Sequence, residues 1–259
     1  LNEMDIIGEG STAITYSYGK DKAVKMYRYD SANIHYEFEV NRYLTECGIS
    51  VPKAYGIVTI DGKEGIVFEK AAGNPLTSEM MKNPSAAIRR LKMMARLHAS
   101  IHEKSAESLK TQKSSIEMKI HASSLSDAEK TAILDHLVCL SSGKQLCHGD
   151  FHPDNILISD GNPVVIDWAD AVCGHPMADL ARTILILRFG GLKTNDAIMG
   201  FIRKWMCKLY IREYKKYRSF TADELYEWEL PLAAARLSES IPPHEKQKLH
   251  AIIRSYLKK

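Results

Sequence analysis

The sequence predicts an α+β protein of two lobes, a small antiparallel β-rich segment followed by a larger, mainly helical one. Three observations carry this. The first seventy of the 259 residues fall into short runs rich in β-branched and aromatic residues, separated by turn residues. From residue 78 onward apolar residues recur at helical spacing instead. Between the two, "AAGNPL" (71–76) interrupts both periods with Gly73, Asn74 and Pro75. The expected organisation is a β-rich lobe over 1–70, a hinge over 71–77 and a helical lobe over 78–259.

Taken in order, "MDII" leads into "GEGSTA", "ITYSY" follows, and after the turn "GKD" comes "KAVKMY", which makes a three-strand meander. A helix is expected from about Ser31 to Cys47, with Ser31 or Asn33 as N-cap and Gly48 as its stop. "KAYGIVTI" and "EGIVFEK" flank Asp61-Gly62, a pair suited to a tight hairpin turn. Beyond the hinge, "SAAIRRLKMMARLHASIHE" sets up a long helix. Further helices follow near "DAEKTAILDHLVCL", "MADLARTILILRF", "AIMGFIRKWMCKLYIREYKKY", "ADELYEWELPLAAARL" and "HEKQKLHAIIRSYL". Pro231 is expected to kink or split the fourth of these. Short strands "QLCH", "ILIS" and "VVID" lie among them, the last two joined by "DGNP".

Composition narrows the classes of function. Five cysteines without C-x-x-C spacing argue against a disulfide framework or a structural zinc site, and fit a reducing cytoplasm. No apolar run approaches the ~18 residues of a membrane span, and the first residues lack a signal-peptide pattern. The net charge of +3 does not imply nucleic acid. From Leu180 to Lys259, however, 16 Lys and Arg face 8 Asp and Glu.

The chemistry-bearing residues cluster in a few stretches. "GEGSTA" matches G-x-G-x-x-G/A, but a β-hairpin follows it where a dinucleotide fold would open a helix. In that context glycines let backbone N–H groups approach phosphates, against the alternative of an ordinary turn. Lys25, on the returning strand, can grip phosphate oxygens if an acid holds its stem. Glu37 is preferred to Glu39 for that task, because its spacing to Val40 and Leu44 sets it beside the packed face. In "HGDFHPDNIL", His148 and His152 stand four apart beside Cys147, yet Gly149 and Pro153 disfavour the helix that a zinc reading would need. Asp150 followed by Asn155 at five residues has instead the spacing of a kinase catalytic loop, with Asp167 arriving at the end of "VVID".

These motifs, with "YEFEVNRYL", "VFEKAAGNPL", "MARLH", "VVIDWADA" and "GHPMADLA", resemble the aminoglycoside phosphotransferase and choline kinase-like family over nearly the whole chain. The resemblance implies a bilobal protein-kinase-like fold and an ATP-dependent phosphotransferase, with GTP as the alternative donor and Mg2+ as cofactor. It implies a phosphate loop containing Gly8, Gly10, Ser11 and Thr12, the Lys25–Glu37 pair, Asp150 as catalytic acid, and Asn155 and Asp167 as metal ligands. His148 would order the catalytic loop, and Asp179 would cap a helix and brace that loop. The base edge would meet backbone groups of Glu69 and Ala71, with Val24, Ile57 and Ile66 as apolar walls.

Ala13 in place of a third glycine, Trp168-Ala169 after the metal-binding acid and the lack of an Ala-Pro-Glu segment depart from protein kinases and favour a small hydroxylated acceptor. His175 stands where the family often has aspartate. The expected protein is a cytoplasmic monomer or weak dimer without nucleic-acid or membrane partners. A nucleotide-binding regulator without turnover and a protein serine/threonine kinase are the competing functions. The basic tail favours a neutral or anionic acceptor over a polycation, although Asp223, Glu224, Glu227 and Glu229 could form a local cation site.

Overall fold

The structure is a computed structural model that describes residues 4–10, 12–28, 33–191 and 197–258. It divides into two compact units, Leu1–Lys82 with Pro153–Ala171 and Asn83–His152 with Val172–Lys259. Ser11 and the candidate cap Ser31 lie outside the described residues.

The first unit begins with β1 (Ile6–Glu9), β2 (Ala13–Ser17) and β3 (Lys22–Tyr27), the expected meander. Helix α1 (Ile34–Glu46) follows, and Gly48 ends it at φ +71°. Asn33 occupies its N-cap position but makes no side-chain cap hydrogen bond. Strands β4 (Ala54–Ile60) and β5 (Lys63–Glu69) form a hairpin whose turn residues Asp61 and Gly62 both have positive φ, as a type I′ turn requires. The five strands order as β1-β2-β3-β5-β4, all antiparallel.

Strand parity divides this sheet. Val24 and Met26 cluster with Val67, whereas Tyr27, Ala54 and Ile66 pack with Ile34 of α1. Lys25 and Ile66 are cross-strand partners and so share the α1 side. Val24 therefore lies on the face opposite Lys25, and it cannot join Ile57 and Ile66 as the wall of one site.

Residues of "AAGNPL" form the short strand β6 (Asn74–Pro75), followed by α2 (Leu76–Met81). Gly73, at φ +119°, passes so close to the Ile158 carbonyl that a Cβ would collide with it. Next come α3 (Pro84–Ile101), capped by the Asn83 side chain on Ala86 N, then α4 (Gln112–His121) and α5 (Asp127–Cys139), the last opened by a Ser126/Glu129 capping box. Strand β7 (Gln145–Cys147) leads to residues 148–157.

A single 3-10 turn, Pro153–Asn155, precedes β8 (Ile156–Ser159) and β9 (Asn162–Val165). Asp160 and Gly161 join these strands with positive φ, and β6 pairs on the free edge of β8 to give the order β6-β8-β9. That pairing is why 153–171 folds with 1–82.

Strand β10 (Val172–Gly174) pairs antiparallel with β7. Helix α6 (Pro176–Phe189) is buried around almost its whole circumference. Helix α7 (Ala197–Tyr214), α8 (Ala222–Tyr226), α9 (Glu229–Arg236) and α10 (Pro243–Leu257) complete the second unit. Both α7 and α9 pack on α6, and α10 packs on α9. The expected break near Pro231 falls earlier, at Glu227–Trp228, because Pro231 sits in the first turn of α9, where its missing N–H costs nothing. Among the described residues no helix is long and apolar enough to cross a membrane.

Candidate active site

In the first unit Lys25 is the centre of an ion cluster. Its ammonium donates to Glu37 Oε1 and Oε2 at 2.8 and 3.0 Å and to Asp167 Oδ1 at 2.7 Å. Glu39 instead pairs with Arg42 at 3.1 Å on the solvent side of α1. Burial lowers the affinity of Lys25 for its proton, but the charges of Glu37 and Asp167 outweigh it and hold the ammonium above its ordinary range. Tyr27 donates its phenol to Glu37 Oε2. Lys25 and Tyr27 are two apart on β3 and so project from the same face, which let them share one carboxylate. The sequence reading missed Tyr27, although its i+2 spacing from Lys25 was the available signal.

Asp167 follows β9 at φ +62°, a conformation that non-glycine residues adopt at a cost and that clusters at functional sites. The segment around it is tied down. Ile166 N donates to Asn155 O at 3.0 Å, the Trp168 indole donates to Val165 O at 3.1 Å, and the Tyr36 hydroxyl of α1 donates to Ala171 O at 2.6 Å. Asn155 is buried, while the Asp167 side chain is 42% exposed. Hard oxygen donors from one amide and one carboxylate suit Mg2+, and the Lys25 ammonium already shows that Asp167 attracts a cation.

The expected phosphate loop joins β1 to β2. Gly8 adjoins a register irregularity between the two strands, Gly10 N donates to Ala13 O at 2.9 Å, and Thr12 O accepts from Arg28 N. Arg28 also reaches Glu9 at 2.5 Å. At the end of β5, Glu69 N already donates to Lys53 O at 2.8 Å, so a base edge would have to use the Glu69 carbonyl and the Ala71 backbone.

In the second unit Asp150 is held from two sides. Arg182 Nη2 donates to its Oδ1 at 2.9 Å, and His152 Nε2 lies 3.4 Å from Oδ2. Burial pushes the Asp150 carboxyl up, but the His152 hydrogen bond and the Arg182 charge overcome it, and the group stays ionised well below the usual carboxylate range. His148 Nδ1 accepts from Asp150 N at 3.2 Å, which orders the turn.

Asp179 braces the loop, though it does not cap a helix. Its carboxylate accepts from His148 N at 2.7 Å and from Gly149 N at 2.9 Å. The cap of α6 is His175, whose Nδ1 accepts from Met177 N at 3.2 Å. A histidine thus does here what a capping aspartate does elsewhere. Burial, with the nearby Arg218 charge, lowers the His175 pKa and keeps the ring in the neutral form that can accept.

His98 of α3 and His102, the C-cap residue of that helix, complete the Asp179 environment. His98 Nε2 and His102 Nε2 approach Asp179 Oδ2 at 3.1 and 3.2 Å, and their Nδ1 atoms contact the Tyr210 and Tyr214 hydroxyls at 2.8 and 2.6 Å. A carboxylate only accepts, so each Nε2 carries the hydrogen and each Nδ1 accepts from a phenol. Among the described residues this is the one group of three possible metal ligands. Its donors and acceptors are taken up by one another, which makes it a hydrogen-bond hub. The sequence reading gave neither histidine a role; their four-residue spacing, in line with the buried stripe of α3, was the signal.

The phosphotransferase enzyme family model, APH, matches residues 7–205. The chain belongs to this family. It is an enzyme, a kinase, and its fold is the protein-kinase-like one. Among solved structures, an amicoumacin kinase in complex with AMP-PNP, Ca2+ and Ami aligns at 15% identity, covering 98% of this chain and 87% of that one, with a TM-score of 0.65. An aminoglycoside-3'-phosphotransferase of type VIII aligns at 18% identity over 90% and 93% of the two chains (TM-score 0.67). Aminoglycoside phosphotransferase APH(4)-Ia, in ternary complex with AMP-PNP and hygromycin B, aligns at 16% identity over 98% and 93% (TM-score 0.67). No curated protein matches the sequence.

Proposed function

We propose that this family member transfers the γ-phosphoryl group of ATP, presented as its magnesium complex, to a hydroxyl of a small molecule. The observation that carries the reading is the Lys25–Glu37–Asp167 cluster, in which a buried ammonium is fixed by one acid and faces a second acid held in left-handed backbone. Phosphoryl transfer asks for charge neutralisation and alignment rather than covalent help. Lys25 would grip phosphate oxygens, with Glu37 and Tyr27 fixing its stem, and the β1–β2 loop through Gly8, Gly10, Ser11 and Thr12 would cover them. Asn155 and Asp167 would hold the magnesium ion, which supplies charge neutralisation of the triphosphate. The Glu69 carbonyl and the Ala71 backbone would read the base, with ATP as the donor and GTP as the alternative.

Asp150 would orient the acceptor hydroxyl and accept its proton. Its two partners keep it ionised, as that role requires. His148 and Asp179 would hold the turn that carries it. Nucleotide binding is thus assigned to residues 1–70 together with Asn155 and Asp167, and acceptor binding to the helical segment. The similar structures, one with AMP-PNP, Ca2+ and Ami and one with AMP-PNP and hygromycin B, support the choice of donor and of a small-molecule acceptor. The setting we assign is cytoplasmic.

Phosphate transfer from ATP, measured against a panel of aminoglycosides, macrolides, choline, sugars and homoserine, tests this function. Turnover with one acceptor, abolished in Asp150→Ala, is expected. Tight magnesium-nucleotide binding without turnover on any acceptor or on water would favour a regulator instead.

A further inference from the structure

Asp150 ends a line of alternating charges that runs through the second unit. Arg182 spends one terminal nitrogen on Asp150 Oδ1 at 2.9 Å and the other on Glu239 Oε1 at 2.7 Å, in the turn between α9 and α10. Glu239 Oε2 accepts from Arg236 Nη1 at 2.8 Å, and Arg236 Nε donates to Glu245 Oε1 at 2.6 Å. Glu245, fully buried in α10, takes Gly191 N on its second oxygen at 3.2 Å. Lys119 of α4 stands 3.9 Å from Glu239.

Two features set this line apart from ordinary surface ion pairs. The Arg182 and Arg236 side chains are 8% and 10% exposed, so their fixed geometry is not diluted by solvent. Buried ion pairs add little net stability over packed apolar side chains of similar volume, so the line's contribution is one of geometry. Finally, Arg182 spans two carboxylates where a guanidinium could have gripped one with both nitrogens. Each end of its planar fork therefore fixes the other.

We infer that Arg182 is a positioning residue for phosphoryl transfer, and that Glu239, itself set by Arg236 and Glu245, holds Arg182 in place. The inference rests on Asp150 having the role proposed above. Arg182 ties down Oδ1 and so fixes the rotation of the carboxylate, whose other oxygen lies 3.4 Å from His152 Nε2. Helix α10, far along the chain from the catalytic loop, becomes part of its support. Low basicity and fixed direction are combined in one contact.

The test uses the full chain, with Mg·ATP and water as the acceptor, read as phosphate release, and repeats it with any acceptor found. Arg182→Met should lower kcat by about 100-fold, the scale of a 1 Å misplacement, while KM for Mg·ATP stays within about threefold. Arg182→Lys should recover about a tenth to a third of the lost rate, since a point charge cannot serve both carboxylates at once. Glu239→Gln should lower kcat by about tenfold, and Arg182→Met/Glu239→Gln should fall no further than Arg182→Met alone. If Arg182→Met fails to fold, the Lys and Gln variants carry the comparison.

Wild-type kcat in Glu239→Gln and Arg182→Lys would overturn the inference. So would loss of rate that tracks the fall in melting temperature across the set, since a merely structural role predicts that. Urea midpoints of the wild type, Arg182→Met, Glu239→Gln and the double variant provide a readout independent of turnover. Additive midpoints would mean that Arg182 and Glu239 are uncoupled, and would end the inference even if no acceptor is found. Absence of any turnover in the wild type, with coupled midpoints, would instead strike the function proposed for Asp150.

Discussion

At Asp150 and Asp167 the same side-chain chemistry serves two environments. Asp150 has Arg182 and His152 for partners, whereas Asp167 has the Lys25 ammonium. Asp150→Ala should therefore abolish transfer and leave nucleotide affinity within a few fold, because the loss falls on the chemical step. Asp167→Ala should weaken magnesium-nucleotide binding by tenfold or more as well, since it removes a hard oxygen ligand. Titration calorimetry with Mg·ATP separates the two; wild-type affinity in Asp167→Ala would contradict the ligand role. Tyr27→Phe is milder. It removes one donor to Glu37 and keeps the Lys25 pair, so KM for the nucleotide should rise by about tenfold or less, on the scale of one hydrogen bond of about 1 kcal/mol.

Single elements show where local sequence determines structure and where it does not. His175 caps α6 through a ring nitrogen. Replacing it with alanine should cost about 1 kcal/mol in urea unfolding, and replacing it with aspartate should restore most of that. Equal losses in both variants would mean that its stacking on Trp228 matters more than the cap. The two Asp-Gly hairpins were legible, because positive φ at consecutive residues demands that pair. Helix α4 was not. Its buried contacts are Ile116 and Ile120 alone among apolar residues, Met118 between them is exposed, and serines fill the turn before. Such a stretch alternates as well as it coils. The spacing of Asp150, Asn155 and Asp167 was local and therefore readable, whereas Arg182 meets Glu239 across 57 residues, a pairing that no local pattern announces.

The molecule as a whole carries two consequences of charge. His98, fully buried and beside His102, has its pKa lowered from 6.5 to about 4, chiefly by loss of hydration. The unfolded chain therefore binds a proton that the folded chain refuses between those values. Stability should be fully present above about pH 6.5 and be lost progressively as pH falls toward 4, by up to roughly 3 kcal/mol. His98→Gln should flatten urea midpoints across that window; an unchanged slope would assign the effect elsewhere.

Two of the four acids expected to form a local cation site, Glu224 and Glu229, are already occupied. Glu224 serves the capping box of α8, Glu229 pairs with Arg188 at 2.8 Å, and Glu239 is held by Arg182 and Arg236. Kanamycin and gentamicin should accordingly be poor acceptors, with kcat/KM below about 10⁴ M⁻¹ s⁻¹; a higher value would reverse the expected preference for neutral or anionic hydroxyl compounds.

The pairing of β6 with β8 also sets a schedule for synthesis. When Lys82 leaves the ribosome, the strand on which β6 will lie has not been made, and neither has Asp167, the second acid of Lys25. The intervening seventy residues, with α3, α4 and α5, must be translated first. The first unit is therefore completed late, after helices of the other unit are already available to fold. A fragment ending at Lys82 is an unfinished unit rather than a small domain, and closing it requires a loop of long sequence separation of the kind that slows folding.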